Sequence, residues 1–195
     1  MKKLRRFMIL ASGALALLFV SASALAQEKS EADWKAMDKK AKQQQIDATA
    51  GAALDQVLKA HPKAKELYSK AYGWAAFDNL KIGFVFSGGG GKGVAVEKKT
   101  GRRTYMEMGS AGIGLTFGGK KYDVVFLFQD SQTFNSFVNK GWQAQAAASA
   151  TAGKESAGAQ TNFVNGMAIY QISGTGLMAN ADISGTKYSK DDDLN

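Results

Sequence analysis

Gly88, Gly90 and Gly93 satisfy G-x-G-x-x-G, the spacing of a dinucleotide-binding turn. That motif works because a helix N-terminus follows the glycines and aims free N–H groups at a pyrophosphate. Here Val94-Ala95-Val96-Glu97 follows, a β-rich run, so the cradle lacks its helix. A Walker loop fails as well, since Gly91-Lys92 is followed by Gly93 where a Ser or Thr must hold magnesium. The glycines read instead as a turn between strands. A nucleophilic triad needs a base, and the single histidine, His61, directly precedes Pro62, a position suited to a helix junction. With one histidine and no cysteine, the common zinc sites, a thiol nucleophile and a disulfide framework are excluded. Asp191-Asp192-Asp193 reads as a solvated terminal tail. The residues point to a binding protein rather than an enzyme, with no cofactor and no nucleotide or nucleic-acid partner.

The basic residues carry more information. Lys98, Lys99, Arg102 and Arg103 flank Thr100-Gly101, and Lys120-Lys121 follow Gly118-Gly119. In a meander with turns at 88–91, 99–102, 109–110 and 118–121, the second and fourth turns share one end. The expectation is six clustered positive charges, Lys98, Lys99, Arg102, Arg103, Lys120 and Lys121, able to attract an anionic phospholipid surface. The bland alternative is that lysines at hairpin tips keep strand edges soluble.

The elements that must position these groups follow from periodicity. Trp34, Met37, Ala41, Ile46, Ala50, Ala53, Leu54, Val57 and Leu58 recur at helical spacing from Glu31 to about Ala60. Pro62 opens a second helix to about Ala71. Short β-rich runs follow at 74–77, 82–86, 93–97, 104–108, 113–117 and 122–128, separated by glycine and Asp-Asn turn chemistry. Asp130-Ser131 starts a helix with Phe134, Phe137 and Val138 on one face. Alternation from Trp142 to Ala152 favours a strand of small residues, and two more strands are expected near 163–173 and 176–187.

Composition sets the compartment. Lys2, Lys3, Arg5 and Arg6 precede an apolar run from Phe7, and Ala24-Leu25-Ala26 forms a small-residue cleavage site. Residues 1–26 therefore read as a secretory signal peptide, and the chain as an exported, periplasmic or outer-membrane-associated protein. Removing those four cations lowers the net charge from +8 to about +4. The remainder, 27–195, suits one domain.

Trp74-Ala75-Ala76-Phe77, Lys81-Ile82-Gly83-Phe84, the glycine run and Gly93-Val94 resemble the opening of the SYLF lipid-binding domain. So do Ser110 to Leu115, Gly118 to Val125, the small-residue run after Trp142 and Gly176 to Thr186. The resemblance covers roughly residues 45–195. It departs from the family pattern at Asp78, where a proline is usual, and at Gln145-Ala146-Ala147. It implies a lipid-binding module without enzymatic activity, whose eukaryotic relatives bind phosphoinositides and in some cases actin.

The fold expected is α+β, with N-terminal helices over 31–71 packed on a curved, largely antiparallel sheet of about eight strands over 73–187 that can approach a barrel. The function expected is non-catalytic binding of anionic phospholipid at a bacterial envelope membrane. An envelope protein–protein interaction module and a small outer-membrane β-barrel are the alternatives.

Overall fold

A computed structural model describes residues 31–83, 86–113, 118–143, 162–173, 176–177 and 185–195. The expected signal peptide (1–26), the small-residue run at 144–152 and the stretch 178–184 lie outside the described residues. The chain divides into two compact units, 1–38 and 39–195. Of the first, only the start of a helix is described.

The element order is α1 (Glu31–Ala60), α2 (Pro62–Lys70), β1 (Gly73–Gly83), β2 (Phe86–Glu97), β3 (Arg103–Ile113), β4 (Gly118–Phe128), α3 (Ser131–Lys140), β5 (Trp142–Gln143), β6 (Met167–Ser173), β7 (Gly176–Leu177) and β8 (Thr186–Lys190). The helix boundaries match the expectation because their stop and start signals are local. Pro62 has no N–H to lose at the first helical position. Asp130 caps α3 by accepting a hydrogen bond from the Thr133 N–H at 2.8 Å.

The strands form one all-antiparallel sheet in the order β5-β8-β3-β2-β1-β4-β6-β7. The sheet is strongly curled. Phe126 on β4 and Tyr188 on β8 lie four strand spacings apart along the ladder, about 19 Å if flat. Their ring centroids are nevertheless 5.0 Å apart. The concave face holds one core, with Phe77, Phe126, Phe128 and Tyr188 packed against Phe134, Phe137 and Val138 of α3. The convex face holds the other, with Ala76, Val94, Val125 and Leu127 under Ala53, Leu54 and Val57 of α1 and Ala64 and Leu67 of α2. Helices thus cover both faces, whereas an outer-membrane barrel turns an apolar outer face to lipid. That alternative has no support in this architecture.

Several expectations need correction. The glycine run is not a turn: Gly88–Gly91 lie inside β2, and their partners on β1 run from Ile82 to Asn79. The 109–110 turn likewise lies inside β3. The reason is the curl. A Cβ at Gly91 would overlap the Asn79 Oδ1 and the Asp78 carbonyl, and one at Gly93 would overlap the Ala76 carbonyl and the Phe77 ring. Glycine is needed on this crowded concave side for close approach, not for bending.

The Asp191–Asp193 tail is solvated only in part, with Asp192 and Asp193 exposed. Asp191 is only 4% exposed and pairs with Lys92 at 2.6 Å, and Leu194 is buried. Strand β6 begins at Met167 because Asn165 and Gly166 adopt positive φ, with the Val164 and Met167 backbones bonded to each other. Strand β8 runs past 187 to Lys190.

Candidate functional site

The topology separates the six cations. Strand β1 pairs Gly73 with Glu97 at one end and Gly83 with Ser87 at the other. It also pairs Gly73 with Phe128 and Gly83 with Gly118 on β4. The 98–102 turn therefore lies at the Gly73 end, and the start of β4 at the Gly83 end. Lys98, Lys99, Arg102 and Arg103 come together; Lys120 and Lys121 stand at the opposite end. The expectation failed because β3 is one continuous strand where a turn at 109–110 was expected, and that single extra turn changes which end of the sheet the start of β4 shares.

Around the 98–102 turn, the structure employs most of the charge. The turn closes through Gly101 N–H to the Glu97 carbonyl at 2.8 Å and Glu97 N–H to the Arg102 carbonyl at 3.0 Å, with Gly101 at φ +71°. Lys98 Nζ donates to the carbonyls of Tyr68 at 2.5 Å and Ser69 at 3.4 Å, and lies 4.4 Å from the Tyr68 ring centroid. It therefore caps the last turn of α2, where unpaired carbonyls and the helix dipole favour a cation. Burial lowers its pKa. Arg102 pairs with Glu97 at 3.1 Å, and Arg103 Nε with Asp47 of α1 at 3.3 Å.

Glu97 is itself built in. Tyr72 donates its hydroxyl to Glu97 Oε1 at 2.5 Å. That bond, with further help from Thr100, Arg102 and Lys99, lowers the Glu97 pKa despite burial. The same hydrogen bond raises the Tyr72 pKa. Arg102 and Arg103 nonetheless keep 63% and 51% of their side-chain surface open, and Lys99 is exposed.

At the other end, Lys121 is exposed and faces Leu80 across the ladder, while only the backbone of Lys120 is described, opposite Lys81. Between the two ends lies a cleft of about 360 Å³, lined among others by Lys42, Ile46, Thr49, Asp78, Lys92 and Leu194. His61 sits at the α1–α2 junction, its side chain making no cap hydrogen bond and its ring 6.0 Å from that of Tyr170. Gly88–Gly93 offer no nest of free N–H groups, since β2 is paired on both sides. Among the described residues, no group of three or more His, Cys, Asp or Glu is placed to hold a metal.

Sequence reasoning missed the clasp formed by Asp191–Asn195. Asp191 Oδ1 accepts from the N–H groups of Asp193 at 3.1 Å and Leu194 at 3.2 Å. The Asn195 side chain accepts from the Tyr105 N–H at 2.9 Å and donates to the Tyr105 carbonyl at 2.7 Å, extending the β3 ladder. Gln43 and Lys39 of α1 donate to the carbonyls of Leu194 and Asn195 at 2.8 and 2.7 Å. The one readable signal was Leu194, an apolar residue in an otherwise polar ending.

The sequence has relatives among known proteins. The Ysc84 family, described as Las17-binding protein actin regulator, matches residues 109–195, from the middle of β3 through the clasp. Beta cell expansion factor A of Aeromonas veronii is 46% identical over 149 residues, 76% of this chain and 57% of that protein. The chain thus spans little more than half the length of that relative.

Proposed function

The chain belongs to the Ysc84 family, the SYLF family that its sequence resembles and a lipid- and actin-binding one, and from that premise we propose that it binds anionic phospholipid at a bacterial envelope surface without catalysing a reaction. In this reading the chain is exported, with residues 1–26 removed. The observation that carries the proposal is the single turn presenting Lys99, Arg102 and Arg103 at one end of the sheet, beside Lys98.

The energetics permit re-pairing. An exposed ion pair such as Arg103–Asp47 is worth about 0–1 kcal/mol. A cation beside an anionic leaflet gains about 1 kcal/mol, so exchanging a carboxylate for a headgroup is near neutral and Lys99 adds a net gain. Lys98 stays with α2 and acts as a structural anchor for the turn.

The test is Lys99→Gln/Arg102→Gln/Arg103→Gln, which removes charge without placing new anions beside Glu97 and Asp47. Pelleting with phosphatidylglycerol vesicles at low salt is expected to weaken by about five-fold, the net contribution of about 1 kcal/mol from Lys99, the two arginines exchanging one anionic partner for another. Undiminished pelleting by a variant with a normal melting transition would remove the turn from the account.

A further inference from the structure

Four side chains on the concave face carry buried polar atoms with no hydrogen-bond partner among the described residues. The atoms are the Nδ2 and Oδ1 of Asn79, the Oε1 of Gln171 and the hydroxyls of Ser110 and Tyr188. Asn79 and Tyr188 are 0% exposed and Gln171 3%. A buried polar group left unpaired costs its full desolvation, whereas Leu, Met or Phe would fill nearly the same space without that cost. The sheet even makes room for Asn79, since a Cβ at Gly91 would overlap its Oδ1. Orphan groups of this kind are met by a ligand or by internal water.

The register gathers them. Tyr122, Asn79, Gly91, Met108 and Tyr188 are successive direct partners across β4, β1, β2, β3 and β8. Gln171 stands one row nearer the Gly73 end, in the row of Val124 and Phe77. Ser110 stands one row nearer the Gly83 end, in the row of Gly89 and Lys81. The curl then closes the distance between edges. Tyr188 lies three strand spacings from β1, about 14 Å if flat, yet its ring centroid is 4.6 Å from that of Phe77. Burial first, and then the nearby Tyr122, push the Tyr188 pKa well above its ordinary value, so its hydroxyl keeps its proton and donates.

We propose that this polar floor binds the hydroxyl groups of a polyol, the chemistry shared by a free sugar and by the glycerol headgroup of phosphatidylglycerol. The set of donors and acceptors selects it. Asn79 Oδ1 and Gln171 Oε1 need donors, Asn79 Nδ2 needs an acceptor, and the two hydroxyls serve as either. Linked hydroxyls meet all of these together. A single water makes about three hydrogen bonds, fewer than the five atoms present. None of the four side chains carries a charge to compensate a buried phosphate, carboxylate or ammonium. Lys81 and Lys120 are direct partners in the Ser110 row, so any anionic group of the ligand belongs on that side of its hydroxyls.

The floor lies toward the Gly83 end of the strands and the basic turn at the Gly73 end, so titration with soluble probes and pelleting with vesicles fail separately. The experiment titrates the full chain by calorimetry with D-glucose, dihexanoyl phosphatidylglycerol and dihexanoyl phosphatidic acid, which lacks the glycerol hydroxyls. Saturable binding of glucose or of phosphatidylglycerol is expected, with phosphatidic acid about ten-fold weaker or more. Glucose binding alone identifies a free sugar, and phosphatidylglycerol binding alone the lipid headgroup. Asn79→Leu and Tyr188→Phe should each weaken binding about ten-fold, with melting temperatures equal to or above the wild-type value because an unpaired group is gone. Tyr188→Phe keeps the ring, and so the packing, should Asn79→Leu fail to fold. No binding of either probe, phosphatidic acid bound as tightly as both, or binding indifferent to both variants would overturn the proposal. Melting temperatures lowered by more than about 4 °C in both variants would overturn it too, as the mark of internal water serving the fold alone.

Discussion

At the scale of single residues, Gly90 and Gly91 are neighbours with opposite tolerances. A methyl at Gly91 must displace the Asn79 amide and the Asp78 carbonyl inside a paired sheet, so Gly91→Ala is expected to cost about 1–3 kcal/mol. Gly90→Ala meets no obstacle and reduces the entropy of the unfolded chain, so stability should be unchanged or rise by up to about 1 kcal/mol. Urea unfolding midpoints of the two variants check both signs. A destabilising Gly90→Ala would mean that the convex face is packed in solution. Sequence inspection could find the glycines but not this distinction, because alternation names the two faces and only the curl says which one is crowded.

Among the elements, the clasp is the one whose energetics are pH-dependent. Burial pushes the Asp191 carboxyl up, but the Lys92 hydrogen bond and charge and the Leu194 and Asp193 N–H groups outweigh it and hold the folded pKa below the ordinary value. A depressed carboxylate pKa adds stability that is present above about pH 4 and lost as pH falls through the folded value. Asp191→Asn is therefore expected to lower stability by about 1–2 kcal/mol at pH 7, with wild type and variant converging under acid. Chemical denaturation at pH 7 and pH 3 measures the convergence.

Asp123 contributes in the opposite sense. Burial first, and then Asp78 directly across the ladder, raises its pKa against the pull of Lys121, so acidification relieves strain there. The variant difference isolates Asp191 from that opposing background. Helices were the legible elements: α1, α2 and α3 end where Pro62, Asp130 and the apolar spacing say they should, because capping is local. The clasp was illegible, since its partners Lys92 and Tyr105 lie 99 and 90 residues away from Asp191 and Asn195.

For the whole molecule, the useful quantity is where charge gathers rather than the net charge. The basic turn stands at one end of strands eleven or twelve residues long, and Lys121 at the other. Vesicle binding through the turn should weaken steeply as ionic strength rises from 0.1 M to 1 M, where the screening length shrinks from about 10 Å to about 3 Å. Co-sedimentation across that range reads it, and salt-insensitive pelleting would point to apolar insertion instead.

The sequence by itself determined the helices, the α+β class, the β-rich middle, the absence of thiol chemistry and the family resemblance. These depend on residue type and spacing within a few positions, or on the order of many weak motifs. Tertiary structure decided which strand pairs with which, and through that which cations meet. It also decided that the glycine run is strand, that its two faces obey different rules, and that an acidic ending is a clasp anchored by buried Asp191 and Leu194. Those outcomes depend on register and curl, set by cores on both faces of the sheet that no local window contains.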